Sequence, residues 1–184
     1  SAAQITNLTI PALNAIDITA VDIADVPSLT PTQINGLSPT QLAALKTSQV
    51  AVLNDTQTGA LLSRQVVSLT PNQLNSLNDT ALKAILPGVV AALTGDQISS
   101  LDTGKLTVLT DGQMAAVTAL QIKALTNSQV AALTLDQVGK LTAGQVSALT
   151  TDQIDALKTD QVRALTTTRI AALSDAQIAS LSVE

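Results

Sequence analysis

Large aliphatic side chains recur every eight residues from Ile5 to Leu181, through Leu29, Leu37, Leu45 and Leu53. None of these positions is polar, and only Ile5, Val21, Ile85 and Val117 depart from Leu. Five residues after each comes a second apolar position, as in Ile34, Leu42, Val50, Val66 and Leu74, interrupted only by Thr58. Gln stands just before that second position at Gln33, Gln41, Gln49, Gln57, Gln65, Gln73 and Gln97, then from Gln113 to Gln161, and at Gln177. A period held this long specifies a repeat architecture rather than one globular core.

Each octad reads as a helix start. In Thr126-Asn127-Ser128-Gln129-Val130-Ala131-Ala132-Leu133, Thr is followed three residues later by Gln, just ahead of apolar residues. This is the capping-box pattern, in which each side chain satisfies an otherwise unpaired amide near the other residue. Thr94, Thr110, Thr118, Thr134, Thr142, Thr150 and Thr166 repeat the cap, with Ser38, Ser174, Asn54, Asn78 and Asp102 as equivalents. Pro31, Pro39, Pro71 and Pro87 fall one residue later, where a missing amide costs little. Asp96, Asp136, Asp152 and Asp160 fall in the first turn, where the helix dipole favours negative charge.

One continuous helix does not fit this period. Eight residues advance the apolar position by about 80° past whole turns, so the stripe would spiral around the rod. The pattern predicts an all-α solenoid of short capped helices, one per octad and about five to seven residues each. On a helical wheel Val130 and Leu133 face the core, Gln129 and Ala132 flank them, and Asn127, Ser128 and Ala131 lie opposite. Isolated helices this short are poorly populated, so stability must come from stacking successive coils. The alternative is a β-solenoid, which Val and Ile at the second apolar position would suit. Ala, Leu, Gln and the caps argue against it.

The first 28 residues keep the apolar spacing but change chemistry. Asp17 and Asp25 replace Gln, and Pro11 and Pro27 stand where a helix interior would be. Residues 1–28 are therefore expected to be irregular and to cap the core, with residues 29–184 forming the octapeptide-repeat solenoid. The stretch from Ala81 to Val90 lacks two consecutive Gln and predicts either a longer helix ending near Pro87-Gly88 or a local bend. The ending Leu181-Ser182-Val183-Glu184 has no closing polar element, as expected of a chain cut from a longer array.

Composition narrows the function classes. Apolar residues are 46% and charged ones 12%, which excludes a disordered tail. No Phe, Tyr, Trp, Cys or His is present. The chain therefore has no disulfide and suits either redox compartment. Net charge is −5, and the nine basic residues never form a run. Without a basic footprint or aromatic platforms, nucleic acid is not an expected partner. No run of about 18 apolar residues exists, so no membrane span is expected. The start SAAQITNLTI lacks the basic region and apolar core of a signal peptide. Either another export signal operates or the chain is an internal piece.

Candidate chemistry is sparse. The usual nucleophiles, bases and zinc ligands are nearly absent, and no cofactor, metal or catalytic site is expected. Asp17, Asp22 and Asp25 come closest to a cluster that could offer oxygen ligands to calcium, but follow no EF-hand loop. The solvated-surface reading is preferred. Asp152 with Asp160 could form a carboxylate pair across coils, though first-turn placement already accounts for both. The Gln row could form a binding surface, and cap duty is its simpler role.

The array from Leu29 to Leu181, with LTTDQIDAL and ALTNSQVAALTLDQV, resembles octad tracts of very large repetitive surface or secreted proteins of Gram-negative bacteria, often described as adhesin-like. The resemblance implies an extracellular or cell-surface setting and a stalk or scaffold role. The expected function is thus a non-enzymatic structural spacer within a larger protein. The alternative is a module binding a cell-surface protein or glycan, or a second copy of itself, through the solenoid surface. Non-random chemistry at exposed positions of neighbouring octads would favour binding. Lys123, Ala131, Gly139, Ser147, Asp155, Arg163 and Ala171 are instead varied, which favours the spacer.

Overall fold

Each helix is set by its caps and ended by its own apolar residue. In the octad at Thr126 the hydroxyl accepts from the Gln129 amide, and the helix runs Asn127–Ala132. Leu133 then takes an extended conformation (φ −52°, ψ 138°), and the next cap, Thr134, is extended too (φ −68°, ψ 157°). Two extended residues make the whole turn. Among the described residues no backbone φ is positive, so this turn needs no Gly and admits β-branched Thr.

A computed structural model describes residues 1–181 of the chain. It is an all-α solenoid of short helices, with α-helices of four to six residues and no strand among the described residues. The β-solenoid alternative is thereby excluded. By its contacts the chain divides into two compact units, Ser1–Leu93 and a second that starts at Thr94. The part of the ending beyond Leu181 lies outside the described residues.

Within each unit a helix packs on the helix three octads away. In the first unit Asp55–Gly59 packs on Asp79–Ala84, and Thr47–Ala51 on Pro71–Ser76. In the second, Gly95–Ser99 packs on Ala119–Ala124, and Leu135–Lys140 on Thr159–Ala164. The core between these coils is built mainly from aliphatic side chains: Ile34, Leu37, Leu42 and Leu74 in one unit, Ile98, Ile122, Val130 and Val146 in the other, are essentially inaccessible. The assigned faces hold for Gln129, Val130 and Leu133, which are buried, for Ala132, which is half-buried, and for Asn127 and Ser128, which are exposed; Ala131, expected opposite the core, is half-buried instead.

Two expectations about the frayed stretches are corrected. Residues 81–90 form neither a long helix nor a bend: Asp79–Ala84 and Pro87–Val90 are ordinary octad helices, the second opened by Pro87 at its first position. The first 28 residues, expected to be irregular, contain helices Ala2–Thr6 and Ile10–Ala15 and two 3-10 helices, Ile18–Ala20 and Val26–Ser28. Their apolar residues Leu13, Ile18 and Val26 are fully buried.

That segment also carries a slip in phase. Ile5 and Leu13 keep the eight-residue spacing of the large aliphatics, yet each sits four residues after a helix cap, at Ser1 and Thr9, which is the second apolar role. Gln4 precedes Ile5 just as Gln33 precedes Ile34. The acceptors of Gln49 and Gln57, Ile18 with Val21 and then Val26 with Leu29, stand in the regular register, whereas the 3-10 helices there still start from Asp17 and Asp25, in the frame of Ser1 and Thr9. The caps override the apolar spacing because both apolar positions are buried and can exchange roles, whereas a cap hydroxyl serves only a helix start. Pro11 and Pro27 are then not interior at all, but lie in the first turn of their helices.

Candidate functional site

The repeated Gln is the chain's most distinctive side chain, and its surroundings are fixed by the shortness of the helices. A helix leaves its first four N–H groups and last four C=O groups unpaired, so in a six-residue helix nearly the whole backbone needs outside partners. In the regular array the Gln amide serves both kinds of group. Gln129 Oε1 accepts from the Thr126 amide (2.8 Å), closing the N-terminus of its own helix. Its Nε2 donates to the carbonyls of Ile98 and Leu101, both at 2.8 Å, closing the C-terminus of a helix on the preceding coil.

This geometry repeats. Gln145 Oε1 accepts from Thr142 N–H (2.8 Å), and its Nε2 donates to the Met114 and Val117 carbonyls (2.8 Å each). Gln65 reaches the carbonyls of Ile34 (2.7 Å) and Leu37 (2.9 Å), and Gln161 those of Val130 (3.0 Å) and Leu133 (2.8 Å). In these ties the acceptors are the second apolar residue 31 positions back and the large aliphatic 28 back; Gln41 instead reaches Asn14 and Ile16, and Gln177 reaches Ser147 and Leu149. Since helices three octads apart also pack together, a turn of the coil contains between three and four octads. Gln33 confirms the phase slip: its Nε2 goes to Ile5 and Leu8, 28 and 25 positions back.

Fourteen of these Gln are buried, at most 7% exposed. No buried side-chain polar atom among the described residues lacks a partner. The Gln row is therefore not a binding surface; it is interior. Cap duty was legible from sequence, and the tie to the preceding coil was not. The available signal was amide rather than acid: Glu would cap as well, but has no Nε2 to donate. Only one Glu occurs in the chain, at Glu184.

Exceptions obey the same logic. Lys46, Leu62 and Lys158 lack a capping hydroxyl, yet their amides still donate to Gln49, Gln65 and Gln161 at 2.8, 2.9 and 2.8 Å. Where Arg169 replaces Gln, its Nε donates to the Leu141 carbonyl, again 28 positions back. Thr58, the single polar residue at the second apolar position, is wholly buried and donates to the Ala81 carbonyl at 2.7 Å. Asn14 substitutes from the opposite side, donating to Gly36 O (2.8 Å) and accepting from Ser38 N–H (2.8 Å).

The acidic candidates are turned to local duties. Asp17 Oδ1 accepts from the Thr19 amide (2.9 Å) and hydroxyl (2.7 Å), and the hydroxyl bond, then the amide bond, hold its carboxyl below the ordinary value. Asp22 accepts from the Ala24 amide (2.9 Å), and Asp25 lies 3.4 Å from the Ser1 amine. Among the described residues no group of three or more His, Cys, Asp or Glu is placed to hold a metal ion. Asp160 pairs with Arg163 (3.2 Å), while Asp152 sits in the first turn of its helix. Lys140 bridges Asp136 on its own helix (2.9 Å) and Asp111 on the preceding coil (2.5 Å), which raises the Lys140 pKa, the Asp111 bond most. Of the seven varied positions, Lys123, Ser147, Asp155, Arg163 and Ala171 are exposed, and Ala131 and Gly139 half-buried. No helix among the described residues is long and apolar enough to cross a membrane.

A family model described as the ALTTAQ repeat matches residues 18–55 and 140–167. The second stretch contains ALTTDQ, residues 148–153, which ends on the ladder residue Gln153. The match supports a repeat-containing protein. Comparison with curated proteins finds no match.

Proposed function

We propose that the chain is a non-catalytic structural spacer, a segment of a larger bacterial surface or secreted protein whose task is to set distance. The observation that carries this reading is the fate of the repeated polar side chain. The Gln of octad after octad is buried and occupied by backbone groups of its own and the preceding coil. The most regular chemistry of the sequence thus serves coil-to-coil ties, and the positions left to solvent vary from octad to octad. Of the carboxylates that could have served catalysis or calcium, Asp17, Asp22 and Asp160 are exposed and engaged locally, Asp25 is half-buried beside the Ser1 amine, and Asp152 lies in the first turn of its helix. The extracellular setting rests on the resemblance to octad tracts of adhesin-like proteins.

The test is attachment of cells carrying arrays of different octad number, with and without scrambled exposed residues. A spacer predicts dependence on array length and indifference to scrambling. Loss of attachment on a few surface substitutions, with length and helicity kept, would replace this reading with that of a protein- or glycan-binding module.

A further inference from the structure

Within each unit the links between coils are short in sequence. The tertiary hydrogen bonds join side chains to main-chain groups across a single gap, with the Lys140–Asp111 ion pair beside them, and their sequence separations are confined to about one turn. Asn14 to Gly36 spans 22 residues, Thr58 to Ala81 spans 23, and the Gln ties span 28 and 31. Backbone hydrogen bonds outside the helices stay within four residues. No strand ladder among the described residues joins one coil to the next. Each turn within a unit is therefore tied to the turns beside it, and the turn that carries Ser1 is tied on one side, through Gln33 and Gln41.

We infer that each unit is a mechanically yielding coil, which opens turn by turn under tension and recloses when tension falls. Loading geometry sets the order of opening. The Gln Nε2–carbonyl bonds bridge the gap between successive coils, so a pull that separates coils loads the ties of the outermost turn before those inside. Bonds loaded in sequence yield in sequence, in contrast to a ladder sheared as a block. Nearest-neighbour stability makes the partly opened unit a stable state, because the remaining turns lose only the ties that they shared with the opened one. Reclosure needs contacts between residues no more than about a turn apart, and such local topology folds fast. This deepens the spacer reading, on which its biological use rests: the spacer would lengthen under load instead of transmitting it abruptly.

The experiment is single-molecule stretching of the chain held at its two ends, with repeated pulling and relaxation. One turn corresponds to 24–31 residues from the packing and ladder offsets. Each opening event should then release about 8–11 nm at roughly 3.3–3.6 Å per residue. Steps of this size, with refolding steps of equal size on relaxation, are the expected result. Release of a whole unit in a single event of about 30 nm would overturn the inference. A second chain carrying Gln129→Glu and Gln145→Glu keeps the acceptors for the Thr126 and Thr142 amides and removes the amide donors to the preceding coil. It should open its first turns at distinctly lower force, and unchanged forces would show that the Gln ties do not hold the coils. The outcome is independent of attachment: a yielding coil with length-independent attachment sinks the spacer reading alone, and a block-unfolding chain with length-dependent attachment sinks only the present inference.

Discussion

At the residue scale, one octad divides its work among four positions, and substitutions should separate them. Leu133 is a core residue, and Leu133→Ala should destabilise by about 2–5 kcal/mol. Thr134 donates no apolar surface but accepts from the Gln137 amide at 3.1 Å, so Thr134→Ala should cost about 0.5–2 kcal/mol. Ser128 is exposed, and Ser128→Ala should stay within about 0.5 kcal/mol. Urea unfolding of the three variants checks the order. Asp17 offers a titration test, because its bonds to Thr19 favour the carboxylate in the folded state. Its contribution is present above the ordinary carboxylate range and lost as pH falls through the lowered folded value. NMR titration should find the Asp17 midpoint below that of a model peptide, and Thr19→Ala should move it back up. At this scale the Thr, the Pro and half of the Gln were legible in the sequence. The other half was not, because Nε2 finds its acceptors 28 to 31 residues away, at a distance no local motif encodes.

At the scale of the helix, length and caps were legible because each unrelated preference, hydroxyl, proline and acid, marked the same start. The slip before Ile18 was hidden by the equal spacing of Ile5, Leu13 and Val21, even though Ser1, Gln4 and Thr9 already stood in the shifted frame. Reading caps before apolar residues would have found it. The stretch at residues 81–90 was misread for the opposite reason: missing Gln suggested a break, while Asn78 and Pro87 kept both helix starts in phase. Caps can also be repaired. Lys46 occupies a cap position with no hydroxyl, although its amide is already bound by Gln49. Lys46→Thr should add the missing acceptor and stabilise by about 0.5–1 kcal/mol, measured as a rise in thermal midpoint.

At the scale of the whole molecule, repetition is the governing property. Each regular octad meets the next by the same step and its Gln meets carbonyls at the same two offsets, so register is conserved under removal of whole octads. Deleting residues 126–133 should leave far-ultraviolet circular dichroism per residue unchanged. Deleting four residues at the same place should bring polar side chains to core positions and lower helicity, because stability passes only between neighbours. The number of octads per turn was not legible from the period, since it depends on how coils stack; nor was the division after Leu93, where the octad pattern itself runs on unbroken. The claim beneath all of this is that the Gln amide, and no other feature of the side chain, ties one coil to the next. Gln145→Glu tests it most directly. A carboxylate can still accept from the Thr142 amide, but meets the Met114 and Val117 carbonyls with no donor in a buried site. Urea unfolding at pH 7 should lose at least about 3 kcal/mol. The loss should be smaller near pH 4, where burial keeps the folded carboxyl protonated, and should grow as pH rises through the ordinary Glu value. An unchanged stability at pH 7 would contradict the account.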